Sequence, residues 1–328
     1  MKKGWIQKSA VILSIFVLLA SVLMGCGEQT AAVHNKDIRI FLSLNEMDTF
    51  RQTLVNAVED KAAQEGIELV VEDADGSIET QVDHIKMAAA QDYDVILCSP
   101  VSTDTVVELK ASAGDIPMVF INSCPDDKHL EAGKYVYVGS DEKVAGQFQA
   151  EYVLEQLADK DEINVVLLKG PNGHSATNGR TNGVKQTLAA SGKKINYVFE
   201  DFANWDTEQA KELFELFLKT GVPVDCVLCN NDSMALGVVE ACKNAGLDSI
   251  PVLGVDATAD GCVSIRNGEM AFTVYQSGLG QGQAAVEMAM KLVMKEDTKE
   301  MEGITEDGKY MWVPFEKVDS SNVSQYMK

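Results

Sequence analysis

Nine polar and aromatic residues stand just beyond the ends of short apolar runs, and their types suit a small hydroxylated molecule. Asp48 and Phe50 follow Ile38–Leu44, Asn122 follows Met118–Ile121, and His174 and Arg180 follow Leu167-Leu-Lys-Gly170. Trp205 follows Asn196–Phe199, Asn231 follows Cys226–Cys229, Asp256 follows Val252–Val255 and Gln276 follows Phe272–Tyr275. Hydroxyl groups donate and accept, so they pair with Asp and Asn acceptors beside Arg and Asn donors. A sugar ring also has apolar C–H faces, which flat rings such as Phe50 and Trp205 cover while shedding water. One Arg among several carboxylates disfavours a phosphate or carboxylate ligand.

Each residue also has a plainer reading. Asp48 and Asp232 could both cap helices; Asp232 is read as a cap, and Asp48 is kept as a ligand candidate. Phe50 could belong to the core, Asn122 could hold a turn, His174 could be an exposed loop residue and Arg180 could make a surface ion pair. Trp205 lies in the polar stretch Phe202-Ala-Asn-Trp-Asp206, where a core role is less natural. Shared placement at strand ends favours the joint reading, because open α/β sheets bind ligands at the carboxyl ends of their strands.

Catalytic patterns are missing. The four histidines are His34, His84, His129 and His174, and the sequence contains neither a Gly-x-Ser-x-Gly elbow nor a phosphate loop ending in Lys-Ser/Thr. Gly278-Leu-Gly280-Gln-Gly282 lacks dinucleotide spacing and reads as a helix start. A glycosidase would need two carboxylates flanking the bond; Asp48 and Asp256 could be imagined there, without a recognisable motif around them. The chain is therefore read as a binding protein with no cofactor, not as an enzyme.

The elements that must position these residues alternate. Apolar runs at Ile38–Leu44, Ile67–Val71, Val95–Cys98 and Met118–Ile121 are separated by helical spacing over Phe50–Glu65, Ile78–Gln91 and Thr103–Ala113. After a short run at Tyr135–Val138 the pattern restarts. Strands are predicted at Asn164–Leu168, Asn196–Phe199, Cys226–Cys229, Val252–Val255 and Phe272–Tyr275. Helices are predicted at Val144–Leu157, Ala176–Ala190, Thr207–Thr220, Ser233–Asn244 and Leu279–Met294, with Asp206 as a start signal and Gly246 as a stop. Such alternation means parallel sheets of βαβ units covered on both faces. With 328 residues the chain exceeds what one core usually supports, so two α/β lobes of comparable size are expected, with a boundary near Gly139. The expected division is 37–138 with 278–308 for the first lobe and 139–277 with 309–328 for the second.

The chain carries 50 acidic against 28 basic residues, a net charge of −22, which argues against nucleic acid or a basic membrane-surface patch. Its start has a different character. Lys2, Lys3 and Lys8 precede an apolar run from Ala10 to Met24 that is too short to span a bilayer and reads as a secretory leader. The run ends in Leu23-Met24-Gly25-Cys26, which resembles a bacterial lipobox; residues 1–25 would be removed and Cys26 lipidated. Residues 26–36 read as a polar tether.

Among the other six cysteines, Cys98, Cys226 and Cys229 lie in apolar runs and read as buried thiols. Cys226-Val-Leu-Cys229 has redox or zinc spacing, but on a strand its two thiols would point to opposite faces. A bond among Cys124, Cys242 and Cys262 stays open.

Several ordered motifs carry a resemblance across nearly all of the chain beyond the leader. They are Val119-Phe-Ile-Asn-Ser-Cys-Pro125, Tyr137-Val-Gly-Ser-Asp141, Val166-Leu-Leu-Lys-Gly170 with Gly173-His174, Asn204-Trp-Asp-Thr207, Asn230-Asn-Asp-Ser-Met-Ala235 and Ile250-Pro-Val-Leu-Gly-Val-Asp256. Together they resemble the bacterial periplasmic sugar-binding proteins of the ribose/galactose type, and most of all the glucose/galactose-binding protein of sugar ABC transporters and chemotaxis. The resemblance implies the periplasmic-binding-protein type I fold, two doubly wound parallel-sheet lobes joined by a hinge. It implies a monosaccharide between the lobes, held by the residues named above with Phe50 and Trp205 sandwiching the ring. Its implied partners are an ABC permease, a chemoreceptor in some relatives, and the membrane through the lipid anchor, for a monomer on the extracytoplasmic face. Two positions depart from the glucose/galactose pattern: Ala176 stands where an acidic ligand residue is expected two places after the His, and Gln276 stands where Asn is expected. The sugar is therefore open, with pentoses, cyclitols and small signal molecules as alternatives. The family's calcium loop corresponds here to Leu157-Ala-Asp-Lys-Asp-Glu162, where Lys160 sits among would-be oxygen ligands, so no metal is expected. A sugar-responsive transcription regulator would need a DNA-binding segment in place of the leader.

Overall fold

A computed structural model describes residues 37–247 and 249–327. The leader, the Leu23–Cys26 motif and the tether lie outside the described residues.

Two six-stranded sheets form the chain, each built by strands that alternate with helices. The first takes β1 (Arg39–Leu44), β2 (Glu68–Asp73), β3 (Val95–Cys98), β4 (Met118–Ile121), β5 (Tyr135–Gly139) and the late β11 (Tyr310–Trp312), in the order β11-β5-β4-β3-β1-β2. The second takes β6 (Glu162–Lys169), β7 (Lys194–Phe202), β8 (Cys226–Cys229), β9 (Val252–Leu253), β10 (Phe272–Tyr275) and β12 (Glu316–Asp319), in the order β12-β10-β9-β8-β6-β7. Every strand pair is parallel except β10 with β12, an antiparallel edge that the parallel expectation did not include.

The reason for the layers is visible in β3 and β4. Val-Ile-Leu-Cys and Met-Val-Phe-Ile are buried at every position, which requires helices on both faces. In the first lobe, α1 (Thr49–Glu65) and α9 (Gly278–Met294) pack together, while α2 (Ile78–Ala90) packs with α3 (Val106–Ala113). In the second lobe, α4 (Glu142–Gln156) pairs with α5 (Ser175–Ala190), and α6 (Thr207–Leu218) with α7 (Asp232–Ala245). One short helix, α8 (Ala259–Arg266), has no counterpart in the sequence reading; its eight residues include Gly261 and too few apolar positions to show a period. Asp206 caps α6 through the Gln209 N–H, and Gly246 ends α7 in the left-handed conformation, as the sequence predicts. Asp232 is a correction. Asn231 is the residue that caps α7, and Asp232 is the first residue inside the helix.

Cys226 and Cys229 pack into the cores on opposite faces of the second sheet, as their spacing requires. Cys98, Cys124, Cys226, Cys229 and Cys262 are free thiols.

The chain passes between sheets three times: from β5 into α4, from β10 into α9, and from β11 into β12. The third passage corrects the boundary expected after residue 308. Tyr310–Trp312 pairs with Tyr137–Gly139 in the first sheet, so the chain leaves that lobe only at Val313 and Pro314. A strand of three residues offers no period from which to read its partner. One polar cluster ties the crossings together: Ser140 Oγ donates to the Val313 carbonyl at 2.7 Å, and Gln281 Nε2 donates to Ser140 Oγ at 3.0 Å.

α4 and α5 touch backbone to backbone, which fixes Arg180. A side chain at Gly146 would collide with the Arg180 carbonyl, and one at Gly183 with that of Lys143. Gly146→Val is expected to cost about 1–3 kcal/mol through overpacking and to displace Arg180; thermal denaturation checks the first effect and ligand affinity the second.

Candidate functional site

All nine candidate residues line one cavity between the lobes, joined by Arg51 and Ala176. Asp48, Phe50, Arg51 and Asn122 come from the first lobe; the rest come from the second. Their common origin is the carboxyl end of each sheet, where loops leave the strands and helices begin.

Local backbone conformation aims several of these groups. Asn122, Trp205 and Asp256 all have positive φ, at 59°, 64° and 116°. Asn tolerates the left-handed region, but Trp rarely adopts it and the Asp256 φ lies beyond it, so these two lining positions hold strain that the surrounding fold maintains. Trp205 lies over Gly170, the residue after β6, where any side chain would overlap the indole. His174 meets the indole edge-on at 5.5 Å between ring centres. Phe50 serves both readings: it packs against the first lobe's core and lines the cavity.

Arg180 is the hub. It is 4% exposed. Its Nε donates to Glu142 Oε2 at 2.7 Å, Nη1 to the Asn230 carbonyl at 2.6 Å and to Asp256 Oδ1 at 3.4 Å, and Nη2 to Gln276 Oε1 at 3.0 Å. Four of its five N–H groups are thereby engaged, leaving one for a ligand. Burial works against its charge, but Glu142 and Asp256 outweigh burial and hold the guanidinium protonated. Burial pushes the Asp256 carboxyl well above the usual carboxylate range, with Arg180 opposing. Glu142 is raised for the same reason. Gln276 has both ends of its amide occupied, since its Nε2 also donates to Glu142 Oε1 at 3.4 Å.

Asp48 both caps and lines. Its Oδ1 accepts from the Arg51 N–H and its Oδ2 from Arg51 Nη1, each at 2.7 Å. Asn122 Oδ1 accepts from Arg51 Nε at 3.1 Å, and Asn231 Oδ1 accepts from the Met234 N–H at 3.0 Å. Each amide oxygen is thus engaged once, and the amide nitrogens are the donors the two residues offer. Asp232 stands outside the lining. Its carboxylate accepts from the Thr258 N–H, the Thr258 hydroxyl and the Thr273 hydroxyl, fastening the start of α7 to the loop that carries Asp256, and burial raises it to about 6.

Sequence reasoning missed Arg51, 3% exposed, and Glu142, 6% exposed. Arg51 left a signal: a cation in the first turn of a helix opposes the macrodipole and needs a local reason, here Asp48 and Asn122. Its presence revises the single-Arg argument. Two guanidiniums face Asp48, Asp256 and Glu142, so the site remains balanced rather than cationic.

The Ala176 N–H points at His174 Nδ1 at 3.2 Å, so the neutral ring carries its proton on Nε2, 3.2 Å from Ser123 Oγ in the other lobe. Burial, helped by Arg51 and Arg180, lowers this imidazole to about 3. The unfolded value is about 6.5, so the unfolded chain binds more protons between the two values. The stability that neutral His174 contributes is whole above about pH 6.5 and is lost as pH falls toward 3. Comparing wild type with His174→Asn by denaturant unfolding at pH 7 and pH 4 should isolate a loss of about 2 kcal/mol in the wild type alone, discounted for the ring's partial exposure.

A family model described as a periplasmic binding protein domain matches residues 40–297. A Rhizobium meliloti protein named as rhizopine-binding is 31% identical over 90% of this chain and 94% of its own length. The chain belongs to the periplasmic sugar-binding proteins of the ribose/galactose type. Among them, the D-galactose/methyl-galactoside binding periplasmic protein MglB of Haemophilus influenzae is 28% identical over 98% of this chain and 100% of its own. An ABC transporter solute binding protein from Bacillus halodurans, solved with myo-inositol bound, superposes with a TM-score of 0.79 at 27% identity, covering 91% of this chain and 99% of that one. Among the described residues no helix is long and apolar enough to cross a membrane, and no cluster of three or more metal-ligating side chains occurs.

Proposed function

We propose that this periplasmic sugar-binding protein captures one neutral hydroxylated ring, a monosaccharide or a cyclitol, between its lobes and delivers it to an ABC permease. The cavity carries the reading: two aromatic rings, two engaged guanidiniums and fixed carboxylates and amides converge from both lobes on one space. Phe50 and Trp205 cover the ring's C–H faces, while Asp48, Asn122, His174, Arg180, Asn231 and Asp256 address its hydroxyls. Ligand that touches both lobes stabilises the closed form over the open one, with motion at the three crossings. Cys26 anchors the chain by a lipid at the extracytoplasmic face.

Ala176 turns the reading toward cyclitols as much as toward galactose or glucose, because a hydroxyl that needs an acceptor at that place would be left unpaired, at about 1–3 kcal/mol. Calorimetry across aldohexoses, pentoses, inositols and xylitol tests the proposal, with at least one compound expected to bind in the micromolar range or tighter; a panel without any binder overturns it. Mass spectrometry of ligand that co-purifies with the protein identifies the compound.

A further inference from the structure

Away from the three crossings, two hydrogen bonds join the lobes directly among the described residues, and both lie at one place. His174 Nε2–H donates to Ser123 Oγ at 3.2 Å, and the Cys124 N–H donates to Ser175 Oγ at 3.0 Å. Ser123 and Cys124 belong to the loop after β4, while His174 and Ser175 stand at the start of α5.

Each side of this contact is tied to the cavity. On the first side, Ser123 is 2% exposed and follows the lining residue Asn122, whose carbonyl accepts from the buried Tyr137 hydroxyl at 3.4 Å. Pro125 then fixes the backbone of the loop. On the second side, Ser175 lies between the lining residues His174 and Ala176, on the helix that carries Arg180. Ser123, Cys124 and Ser175 are not themselves part of the cavity lining. Ser123, His174 and Ser175 do line the wider space outside it, which is open to solvent. The two bonds thus cross the cleft between the cavity and its mouth.

We propose that these two bonds are a latch that sets how long the captured ring stays, with Ser123 and Ser175 as positioning residues that never touch it. The inference rests on the capture reading above and adds its release step. Every atom of the latch belongs to the protein, so it forms on closure around any ligand and does not distinguish one ring from another. Release requires the lobes to part, and parting breaks both bonds. The freed groups are hydrated in the open form, so each bond contributes only its net value against water. That contribution exists in the closed form alone and therefore appears in the dissociation rate.

Stopped-flow measurement of release from wild type, Ser175→Ala and the double variant Ser123→Ala/Ser175→Ala tests the latch, with each compound of the panel above that binds. Ser175→Ala should speed dissociation about fivefold, the effect of one neutral hydrogen bond of ~1 kcal/mol, and the double variant roughly tenfold or more. The factor should be the same for every compound, so the order of preference among ligands is kept. Dissociation from the double variant at the wild-type rate overturns the latch, and so do factors that differ among compounds, because the residues would then be meeting the ligand. In both cases the capture reading stands. Should no compound of the panel bind, the capture reading falls and small-angle X-ray scattering of the ligand-free proteins decides on the latch: a larger radius of gyration in the double variant upholds it, and an unchanged one overturns it.

Discussion

Arg180→Met is expected to destabilise the protein by about 3–5 kcal/mol and to abolish measurable ligand binding. The substitution leaves Glu142 and Asp256 buried without their cation, and breaking a buried ion pair from one side costs far more than the pair contributes net. It also removes the donors to Gln276 and to the Asn230 carbonyl. Thermal or denaturant unfolding measures the loss. Two controls separate the causes. Glu142→Gln in the Arg180→Met background should recover part of the stability, because it removes one stranded carboxylate. The double variant should not recover binding. Unfolding of Arg180→Met within about 1 kcal/mol of wild type would show that the guanidinium is not the hub the distances describe.

Trp205→Ala should weaken binding of the captured ring by roughly 70-fold, beside a moderate loss of fold stability of about 1–2 kcal/mol. A ring stacked on the indole removes on the order of 100 Å² of apolar surface from water, worth about 2.5 kcal/mol at ~25 cal/mol/Å². Trp205 is only partly buried: one side packs against the second lobe's core, and its ring centre lies 5.5 Å from that of His174 and 5.7 Å from the Arg180 guanidinium, so truncation opens the cavity and removes some core contact as well. Trp205→Phe should keep most of the affinity. Calorimetry with whichever compound binds wild type decides the matter, and unchanged affinity in Trp205→Ala would place the ring elsewhere.

A polar layer behind the cavity holds its lining groups in place. Arg51 holds Asp48 and Asn122 in the first lobe, and Arg180 holds Glu142, Asp256 and Gln276 in the second. Both guanidiniums are buried, and so are Asn122, Glu142 and Gln276 among their acceptors, where leaving a polar group unpaired is costly. The groups left over for a ligand are then few and directional: amide donors from Asn122 and Asn231, one N–H of Arg180, and the carboxylates. On the proposed function, such a set discriminates among ring hydroxyl patterns by what it leaves unpaired rather than by shape alone.

The alternation of apolar runs and helical spacing fixed the fold class, because strands buried at every position can only belong to sheets covered on both faces. β3, β4, β8 and β10 fall where the pattern places them, residue for residue. The nine lining residues were also legible, since loops after parallel strands all open on one edge and that edge is where ligands bind. What the sequence could not decide depends on contacts between distant segments. Asp232 looked like a cap, yet its partners Thr258 and Thr273 lie on other elements. β11 and β12 are too short to declare a sheet, and only pairing assigns Tyr310–Trp312 to one lobe and Glu316–Asp319 to the other. Arg51 and Glu142 became site residues because helices from separate parts of the chain turn them inward. The positive φ of Trp205 and of Asp256, at 64° and 116°, is likewise imposed from outside, since side chains rarely adopt those conformations by themselves. Local pattern thus determined which elements exist and which strand ends line the cavity; the long-range polar contacts determined which of the lining groups are engaged by the protein itself.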